Sequence, residues 1–367
     1  MKLTDVVDRI NGNVDRFTTE LEYYIGGEHF ESNELEVTQK GLLKENLGKL
    51  GFKFHFAFQD RDVVFMARNP HLRKAGMVRF AGLCSDASYI LRSKDETVLS
   101  QEYLAVMLQS DHFWDYCESH KVGSVNFANN WSSIANYEFE LPTPEEQKEI
   151  SDKVWAAYRL KKSYKKLLAA TEEMVKSQFI EMFGSVDDNP KSYDIKKVGD
   201  FAECFAGATP STKISSYWDN GNIPWMSSGE VHKARVQDTD AKITQQGYDG
   251  CSTKMVPIHS IVIALAGQGK TRGTVAINDI ELCTNQSLCA IVPNEEVNYE
   301  YLFHNLRGRY KELRSMSGDV DGRGGLNLKH IQNIKVIVPP MSEQMKFVSI
   351  ARQADKSKFG WRIDEVG

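Results

Sequence analysis

The longest regular pattern of apolar positions runs through residues 145–183 and predicts one long helix. No glycine or proline interrupts it before Gly184, and Pro144 followed by acidic residues is typical of a first helical turn. At 1.5 Å per residue the rod would be about 58 Å long. Its narrow apolar stripe needs a second helix alongside in order to be buried. The alternative interpretation is that the segment is one core helix of a single larger domain. The stripe has a 4–3 spacing at Ile150, Val154, Ala157, Tyr164, Leu168, Thr171 and Val175.

Two other segments are candidate partners for this helix. One is the charged stretch from Ser342 to Ala354, and the other is an N-terminal helix predicted over residues 1–19. A coiled pair that joins two domains would act as a spacer of fixed length. The N-terminal prediction rests on the 4–3 spacing of Leu3, Val7, Ile10, Val14 and Phe17.

The remaining apolar runs are shorter and indicate an α+β chain. Helical spacing predicts helices over residues 101–119 and 299–315, and a glycine-rich loop follows at 318–325. Alternating or continuous apolar runs between turn signals predict strands. The predicted strands are residues 53–58, 62–66, 134–141, 258–266, 274–278, 288–292 and 334–338.

The chain also repeats itself. Leu141-Pro142 with Glu146-Gln147 recurs as Val338-Pro339 with Glu343-Gln344, an offset of 197 residues. Cys84-Ser85-Asp86 falls on Cys283-Thr284-Asn285 at an offset of 199. The offset between the two copies changes by only two residues. This near-constant offset indicates a duplicated globular domain of about 120 to 160 residues, much longer than a solenoid repeat. Two similar domains suit a target that also has two parts.

Composition places the chain among ordinary cytoplasmic proteins. Of its 367 residues 41% are apolar and 26% charged. No apolar run approaches the roughly 18 residues of a membrane span, and no signal peptide opens the chain. The six cysteines form no Cys-x-x-Cys pair, which favours reduced thiols over a zinc site. The net charge is −5, but residues 63–85 hold four basic side chains and no acid, so local phosphate binding is open.

No motif predicts catalysis. Gly267-Gln268-Gly269-Lys270-Thr271 resembles the end of a phosphate-binding loop, but Ala264 stands where the full motif needs its first glycine. The following residues predict a turn into a strand rather than a helix, so a basic hairpin tip that suits DNA phosphates is the better interpretation. No dinucleotide-type Gly-x-Gly-x-x-Gly unit or adenine-methyltransferase motif is present.

The second half resembles a target-recognition domain of type I restriction–modification specificity subunits. Asn285-Gln286-Ser287 and Pro339-Pro340-x-x-Glu343-Gln344 complete a match that covers about residues 145–355. The first half is covered through the internal repeat only. It lacks a Thr-Pro-Ser element, so its domain is a shorter variant or is trimmed. The match begins with Val198-Gly199-Asp200, Gly207-x-Thr209-Pro210-Ser211, Trp218, Gly221-Asn222-Ile223-Pro224-Trp225 and Ser228-Gly229-Glu230.

The resemblance implies a non-catalytic DNA-specificity subunit. Each of two recognition domains, built on a mixed and largely antiparallel sheet, would read half of a split duplex DNA site, with antiparallel coiled-coil helices between them and pseudo-two-fold symmetry. Two methyltransferase subunits and translocating restriction subunits would bind the chain; S-adenosylmethionine and ATP would bind those partners, and this chain would need no cofactor. The expected segments are a spacer helix (1–19), domain one (20–144), the central helix (145–183), domain two (184–341) and a C-terminal helix (342–367).

Polar and basic loop residues are the candidates for DNA contact, because they carry donors and acceptors for base edges and phosphates. For any one of them the alternative is a solvated loop side chain. Domain one contributes Arg68, Asn69, His71, Arg73, Lys74, Ser124, Asn126, Asn129 and Asn130. Domain two contributes Thr209, Ser211, Lys213, Trp218, Ser227, Ser228, Lys233, Arg235, Gln268, Lys270, Arg272, Ser317, Asp319 and Arg323.

Two other classes of function stay open on the sequence alone. One is a nucleotide-binding enzyme that uses the loop of residues 267–271. The other is a two-domain scaffold or sugar-binding module with no nucleic-acid partner. Nucleotide-dependent thermal shift would identify the first, and salt-dependent DNA binding would argue against the second.

Overall fold

The computed structural model describes residues 1–124, 127–267, 269–316 and 324–359, without the side chains of 356–359. The chain divides into two compact units, Met1–Lys165 (unit 1) and Lys166–Gly367 (unit 2). None of the helices in the described ranges is long and apolar enough to cross a membrane.

Unit 1 is built on two mixed sheets. The five-stranded sheet has the order β1–β9–β6–β7–β3, and the four-stranded sheet has the order β4–β2–β8–β5. Its strands are β1 (Val7–Ile10), β2 (Tyr23–Ile25), β3 (Glu36–Val37), β4 (Gly41–Leu42), β5 (Phe54–Phe58), β6 (Val63–Met66), β7 (Ala75–Val78), β8 (Gly82–Ser85) and β9 (Ser88–Ser93). Its helices are α1 (Leu3–Val6), α2 (Leu43–Asn46), α3 (Gln101–Met107), α4 (Asp111–Ser119), α5 (Trp131–Ala135) and the first part of α6 (Pro144–Phe183).

Unit 2 repeats this design. Its sheets have the orders β11–β18–β15–β16–β13, β14–β12–β17 and β10–β19. Its strands are β10 (Asp194–Lys197), β11 (Ala202–Ala206), β12 (Ile223–Met226), β13 (Arg235–Val236), β14 (Ala241–Ile243), β15 (Ile261–Ala264), β16 (Val275–Asn278), β17 (Cys283–Thr284), β18 (Leu288–Pro293) and β19 (Lys335–Val338). Its helices are α7 (Val198–Phe201), α8 (Gln245–Asp249), α9 (Tyr299–Gly308), α10 (Tyr310–Ser315), α11 (Leu328–Gln332) and α12 (Met341–Phe359).

The strand orders confirm the duplication. In each five-stranded sheet the central strand, β6 or β15, is completely buried and pairs antiparallel with its neighbours on both sides. A two-residue strand, β3 or β13, adds to the outside in parallel. Continuous Val-Val-Phe-Met and Ile-Val-Ile-Ala runs suit these strands, because both of their faces are covered. The α+β class predicted from the sequence is confirmed.

The long helix α6 begins one residue before its predicted start and ends at Phe183 as predicted. Thr143 and Glu146 form the reciprocal cap: the Glu146 N–H donates to Thr143 Oγ1, and Glu146 Oε2 accepts from the Thr143 N–H at 2.8 Å. The predicted apolar stripe is wrong at its beginning, where Ile150 and Val154 are exposed. Trp155 and Tyr158 are buried instead, because their aromatic rings are larger than the side chains of Ile150 and Val154 and pack into the core of unit 1.

Four other predicted elements differ from the structure. The N-terminal helix over residues 1–19 is wrong: the helix covers Leu3–Val6 only, and Val7–Ile10 pairs with β9 as an edge strand. The closing strand predicted at 134–141 is wrong, since helix α5 ends at Ala135 and one isolated bridge joins Lys2 to Glu138. The predicted helices 101–119 and 299–315 are each two consecutive helices.

Candidate nucleic-acid interface

The loops at one edge of each unit come together around the tip of a β-hairpin. In unit 1 the tip connects β6 to β7, and in unit 2 it connects β15 to β16. We call each set of loops the loop edge. The loop edge of unit 1 comprises residues 26–29, 50–53, 67–74, 85–88, 122–124 and 127–130. The loop edge of unit 2 comprises residues 207–211, 226–233, 265–267, 269–274, 284–287 and 324–326.

Backbone hydrogen bonds hold the loop edge of unit 1 in one arrangement. The Ala67 N–H donates to the Ala87 carbonyl at 2.9 Å, and the Ala67 carbonyl accepts from the Asn129 N–H at 2.8 Å. Asn69 has left-handed backbone geometry and donates its N–H to the Phe127 carbonyl at 2.8 Å. A left-handed asparagine turns the chain with little strain, so Asn69 can lead directly into the 3-10 helix Pro70–Leu72.

The same contacts recur in unit 2. The Leu265 N–H donates to the Ser287 carbonyl at 2.8 Å, and the Leu265 carbonyl accepts from the Leu326 N–H at 2.8 Å. Leu265 and Ser287 are therefore the counterparts of Ala67 and Ala87. His232 reaches the hairpin tip from a neighbouring turn, with its Nε2 3.2 Å from Thr271 Oγ1.

The basic side chains of the unit 1 hairpin connection differ in whether they have a hydrogen-bond or ion-pair partner. Arg68 and His71 are exposed, and among the described residues no ion pair or side-chain hydrogen bond involves either one. Arg73 forms an ion pair with Asp111, and Lys74 Nζ donates to the Gly27 carbonyl at 2.7 Å. Arg68 and His71 are thus the exposed basic side chains of the 67–74 connection that have no side-chain partner among the described residues.

The predicted polar residues of unit 1 also separate into two groups. Ser124 and Asn130 are exposed. Asn129 is buried, and its Nδ2 donates to the Cys117 carbonyl at 2.7 Å, so its side chain supports the loop from inside. Asn69 is half-buried and positions the tip through its backbone.

A polar loop that begins at Gly207 joins the unit 2 edge. A Cβ atom on Gly207 would lie 1.9 Å from the Thr284 carbonyl oxygen, so only glycine permits this approach. The exposed Thr209 hydroxyl then donates to Oε1 of Gln286. Ser211 accepts at its carbonyl from Trp218 Nε1 at 3.2 Å, and the Trp218 ring meets Trp225 edge to face at 5.1 Å.

Several other predicted residues of unit 2 lie at or near this edge. Lys213 and Lys270 are exposed, and Ser227 and Ser228 begin a 3-10 turn in which the Ser227 N–H donates to Glu230 Oε2 at 2.7 Å. Arg272 is buried and its Nη1 donates to the Gly324 carbonyl, so it closes the hairpin tip onto the next loop. Five predicted residues lie outside the described residues: Asn126, Gln268, Ser317, Asp319 and Arg323.

Lys233 and Arg235 are engaged by acids. Lys233 Nζ lies 2.8 Å from both Asp240 Oδ1 and Glu230 Oε1, and these hydrogen bonds raise the pKa of its ammonium group. Arg235 pairs with Ile277 at the end of β16 that is far from the hairpin tip. Its guanidinium contacts Asp279 and Glu300, at 3.1 Å and 2.8 Å. The structure therefore does not bring Arg235 to the loop edge.

The loop of residues 267–271 is a turn between two strands. Strand β16 begins at Val275, and no helix begins after Thr271 in the described part of the chain before Tyr299. The predicted hairpin tip is confirmed. A phosphate-binding loop needs a helix N-terminus facing the phosphate, so the local geometry does not supply that site.

Gln286 and Lys53 are two of the loop-edge residues that were not among the predicted contacts. Gln286 holds Thr209, and Lys53 Nζ pairs with Asp86 Oδ2 at 3.0 Å while its carbonyl accepts from the Asp86 N–H. The Asn-Gln-Ser motif contained the signal for Gln286. The alternation of residues 53–58 predicts a strand that includes Lys53. In the structure Lys53 immediately precedes strand β5 and belongs to the loop.

Comparison with known proteins supports the sequence resemblance. Residues 190–360 match the family model described as type I restriction modification DNA specificity domain. The chain is 26% identical over 163 residues to the Escherichia coli type I restriction enzyme EcoR124I/EcoR124II specificity subunit, which covers 44% of this chain and 40% of that protein. It is 28% identical over 190 residues to the Methanocaldococcus jannaschii MjaIX specificity subunit, covering 50% and 43% respectively.

The aligned regions span about two fifths of the length of these relatives. At the level of fold the likeness extends further. A crystal structure of a type I restriction–modification S subunit from M. genitalium has a TM-score of 0.60 at 13% identity, over 99% of this chain and 91% of that one. A chain from a type I R-M assembly structure has a TM-score of 0.52 at 17% identity, over 100% and 92%. Residues 190–360 of the chain therefore match a type I restriction modification DNA specificity domain, and the fold is similar to that of a type I restriction–modification S subunit.

Proposed function

We propose that this chain recognises a bipartite site in double-stranded DNA and directs adenine methylation, and restriction, by partner subunits. The observation that carries the proposal is the duplicated loop edge: the same hydrogen bonds that fix Ala67 in unit 1 fix Leu265 in unit 2. Each unit then reads one half of the site. No residue of the chain is assigned a catalytic role.

The loop edge has the chemistry that sequence reading needs. Arginine and lysine contact phosphates or guanine, and asparagine and glutamine contact adenine, while serine and threonine adapt to either partner. In unit 1 the proposed contacts are Arg68, Asn69, His71, Ser124 and Asn130, with Arg73 and Lys74 available if the DNA phosphates replace their present partners. In unit 2 they are Thr209, Ser211, Lys213, Trp218, Ser227, Ser228 and Lys270. Buried Asn129 and Arg272 support these contacts from behind.

The long helix α6 supports the proposal of partner docking. Leu160, Leu167, Met174 and Ile180 on this helix are each at least half exposed. Apolar side chains at such positions are typical of a surface that another protein covers. We assign this surface to the methyltransferase subunits, two of them, with the translocating restriction subunits joining the complex. S-adenosylmethionine and ATP bind those partners.

Salt-dependent DNA binding tests the proposal. The complex co-expressed with the adjoining methyltransferase subunit is titrated with labelled duplex DNA at several salt concentrations. A protein that neutralises several phosphates loses affinity steeply with salt, roughly in proportion to their number. Binding that is absent or indifferent to salt would favour a scaffold without a nucleic-acid partner. A thermal shift with nucleotide in the isolated chain would instead revive the nucleotide-binding alternative.

A further inference from the structure

Two exposed phenylalanines stand beside the loop edge of unit 1. Phe17 is 68% exposed and Phe52 is 82% exposed, and they are the only aromatic side chains among the exposed large apolar residues that the structure describes. Burying a phenylalanine ring stabilises a fold, so leaving both rings in water forgoes that stabilisation. Neither ring has a role in the core of unit 1.

The backbone around both rings is well held. The Phe17 N–H donates to Asp15 Oδ1 at 2.9 Å, and the N–H groups of Thr18 and Thr19 donate to the Asp15 carbonyl. Arg16 then ties this turn to the turn that carries Phe52. Its Nη1 donates to the Leu50 carbonyl at 2.9 Å and also to the Gly51 carbonyl. The Arg16 guanidinium also lies over the Phe17 ring, 4.8 Å from its centroid. Arg16 therefore connects the two ordered turns that carry the two rings.

A chain of contacts connects these turns to the hairpin tip. Lys53, next to Phe52, receives the Asp86 N–H at its carbonyl and pairs with the Asp86 carboxylate at 3.0 Å. Ala87 follows and accepts from the N–H of Ala67, the residue before Arg68. The strand registers agree, because Phe54 faces Ser85 and Met66 faces Ser88. Phe52 thus adjoins the surface to which we assign DNA contact.

The charge near Phe52 suits a polyanion. Residues 46–55 contain Lys49 and Lys53 and no aspartate or glutamate. Lys49 is exposed, and no ion pair or side-chain hydrogen bond involves it within the described ranges. Aromatic rings flanked by cations are the combination with which proteins stack on bases or wedge between them.

Unit 2 has no such pair in its described residues. There the aromatic rings near the corresponding turns are packed, as Trp218 is against Trp225. The exposed apolar side chains in unit 2 are aliphatic, Ile214 and Ile258 among them. The two units therefore treat their half-sites differently.

We propose that Phe17 and Phe52 form an aromatic wedge that enters the base stack of duplex DNA next to the half-site that unit 1 reads. The inference rests on the proposed DNA-binding function and adds a specific contact to it. The wedge opens one base step and holds the DNA locally unstacked while the exposed Lys49 contacts a phosphate.

The experiment uses the co-expressed complex and a labelled duplex that carries the methylated motif of the host. Phe17→Ala/Phe52→Ala should lower the affinity roughly 5- to 150-fold for one lost stacked base. The slope of affinity against salt should stay unchanged, because an apolar ring releases no counterions. Lys49→Ala should reduce that slope by about one phosphate contact. Val98→Ala, which shortens an exposed apolar side chain of unit 1 outside the loop edge, is the matched control.

A second readout locates the wedge. With 2-aminopurine placed step by step along the duplex, the wild-type complex should raise its fluorescence at one step beside one half of the motif, and the double variant should not. Phe52→Tyr should retain the signal. Affinity within twofold of wild type, or an equal signal in the double variant, would overturn the wedge. If the wild-type complex binds no DNA, the proposed function itself fails, and this result is distinct from the other two.

Discussion

Gln147 and Gln344 make the same three hydrogen bonds, each within its own unit. The Nε2 group of Gln147 donates to the Val98 and Pro142 carbonyls, and its Oε1 accepts from the Ser100 N–H. Gln344 makes the equivalent bonds to Glu296, Pro339 and Asn298, at 3.0, 2.8 and 2.8 Å. Both side chains are buried. The glutamine of the repeated Glu-Gln pair therefore fastens a long helix to a distant turn. In unit 1 it fastens α6 to the turn before α3, and in unit 2 it fastens α12 to the turn before α9.

Gln344→Ala should destabilise unit 2 by about 3 kcal/mol. The substitution removes three hydrogen bonds, one of them buried and two part-buried, and each is worth about 1 kcal/mol. Urea unfolding measures the loss. Gln353→Ala, at an exposed position of the same helix, should change stability by less than about 0.5 kcal/mol. Equal stabilities for the two variants would contradict this role of Gln344.

Gly207→Ala should weaken DNA binding about tenfold, equivalent to about 1.4 kcal/mol. The added methyl group would collide with the Thr284 carbonyl and push the polar loop with Thr209 and Ser211 off the loop edge. Gly308→Ala, outside the loop edge, is the control, since a Cβ there would meet only Lys176 Cγ at 3.9 Å, an ordinary contact. Both variants are titrated with duplex DNA. An unchanged affinity for Gly207→Ala would remove the 207–211 loop from the interface.

Arg68→Ala should weaken DNA binding, whereas Arg235→Ala should lower the stability of unit 2. Arg68 is exposed on the loop edge, so its loss should lower DNA affinity by about 1–3 kcal/mol and leave folding intact. Arg235 contacts Glu300, which is buried and also bonded by Arg352 at 2.7 Å. Its loss should destabilise unit 2, since a buried carboxylate loses one of its two cations. Paired titration and unfolding experiments distinguish these outcomes; a reversed result would show that the two arginines are misassigned.

His304 should make unit 2 sensitive to mild acid. Burial lowers the pKa of this histidine from 6.5 to about 4. The unfolded chain therefore binds a proton that the folded chain refuses, and stability falls as pH drops from about 6.5 towards 4. At pH 5 the loss is about 2 kcal/mol relative to neutral pH. In His304→Gln this part of the pH dependence should vanish, which urea unfolding at pH 7 and pH 5 would detect.

The sequence predicted the central features of the fold well and the edges poorly. Strands β6, β15 and β18 are continuous apolar runs, and such runs have few alternatives in a two-sided sheet. The N-terminal segment has the helical spacing Leu3, Val7 and Ile10, but in strand β1 Val7 and Ile10 fall on opposite faces and pack in different clusters. The open edge of β9 decides between the two, and that partner is remote in sequence.

The candidate site was predicted in part for a similar reason. Loop polarity and local charge identify Arg68 and Lys270, which lie exposed at the hairpin tips. Composition cannot show that Arg235 meets Asp279 and Glu300, because these acids lie 44 and 65 residues away in the chain. Phe17 was assigned to a helical stripe, although the structure exposes it on a turn.

Single-molecule sequencing of host DNA, with and without this chain beside its methyltransferase subunit, tests the central claim most directly. We predict N6-methyladenine in a split motif: two short specific runs flank a gap of constant length, and the modification disappears when the chain is deleted. Exchanging residues 67–74 for those of a relative should alter one run and leave the other unchanged. Methylation that persists without this chain, or a motif with no gap, would contradict the claim.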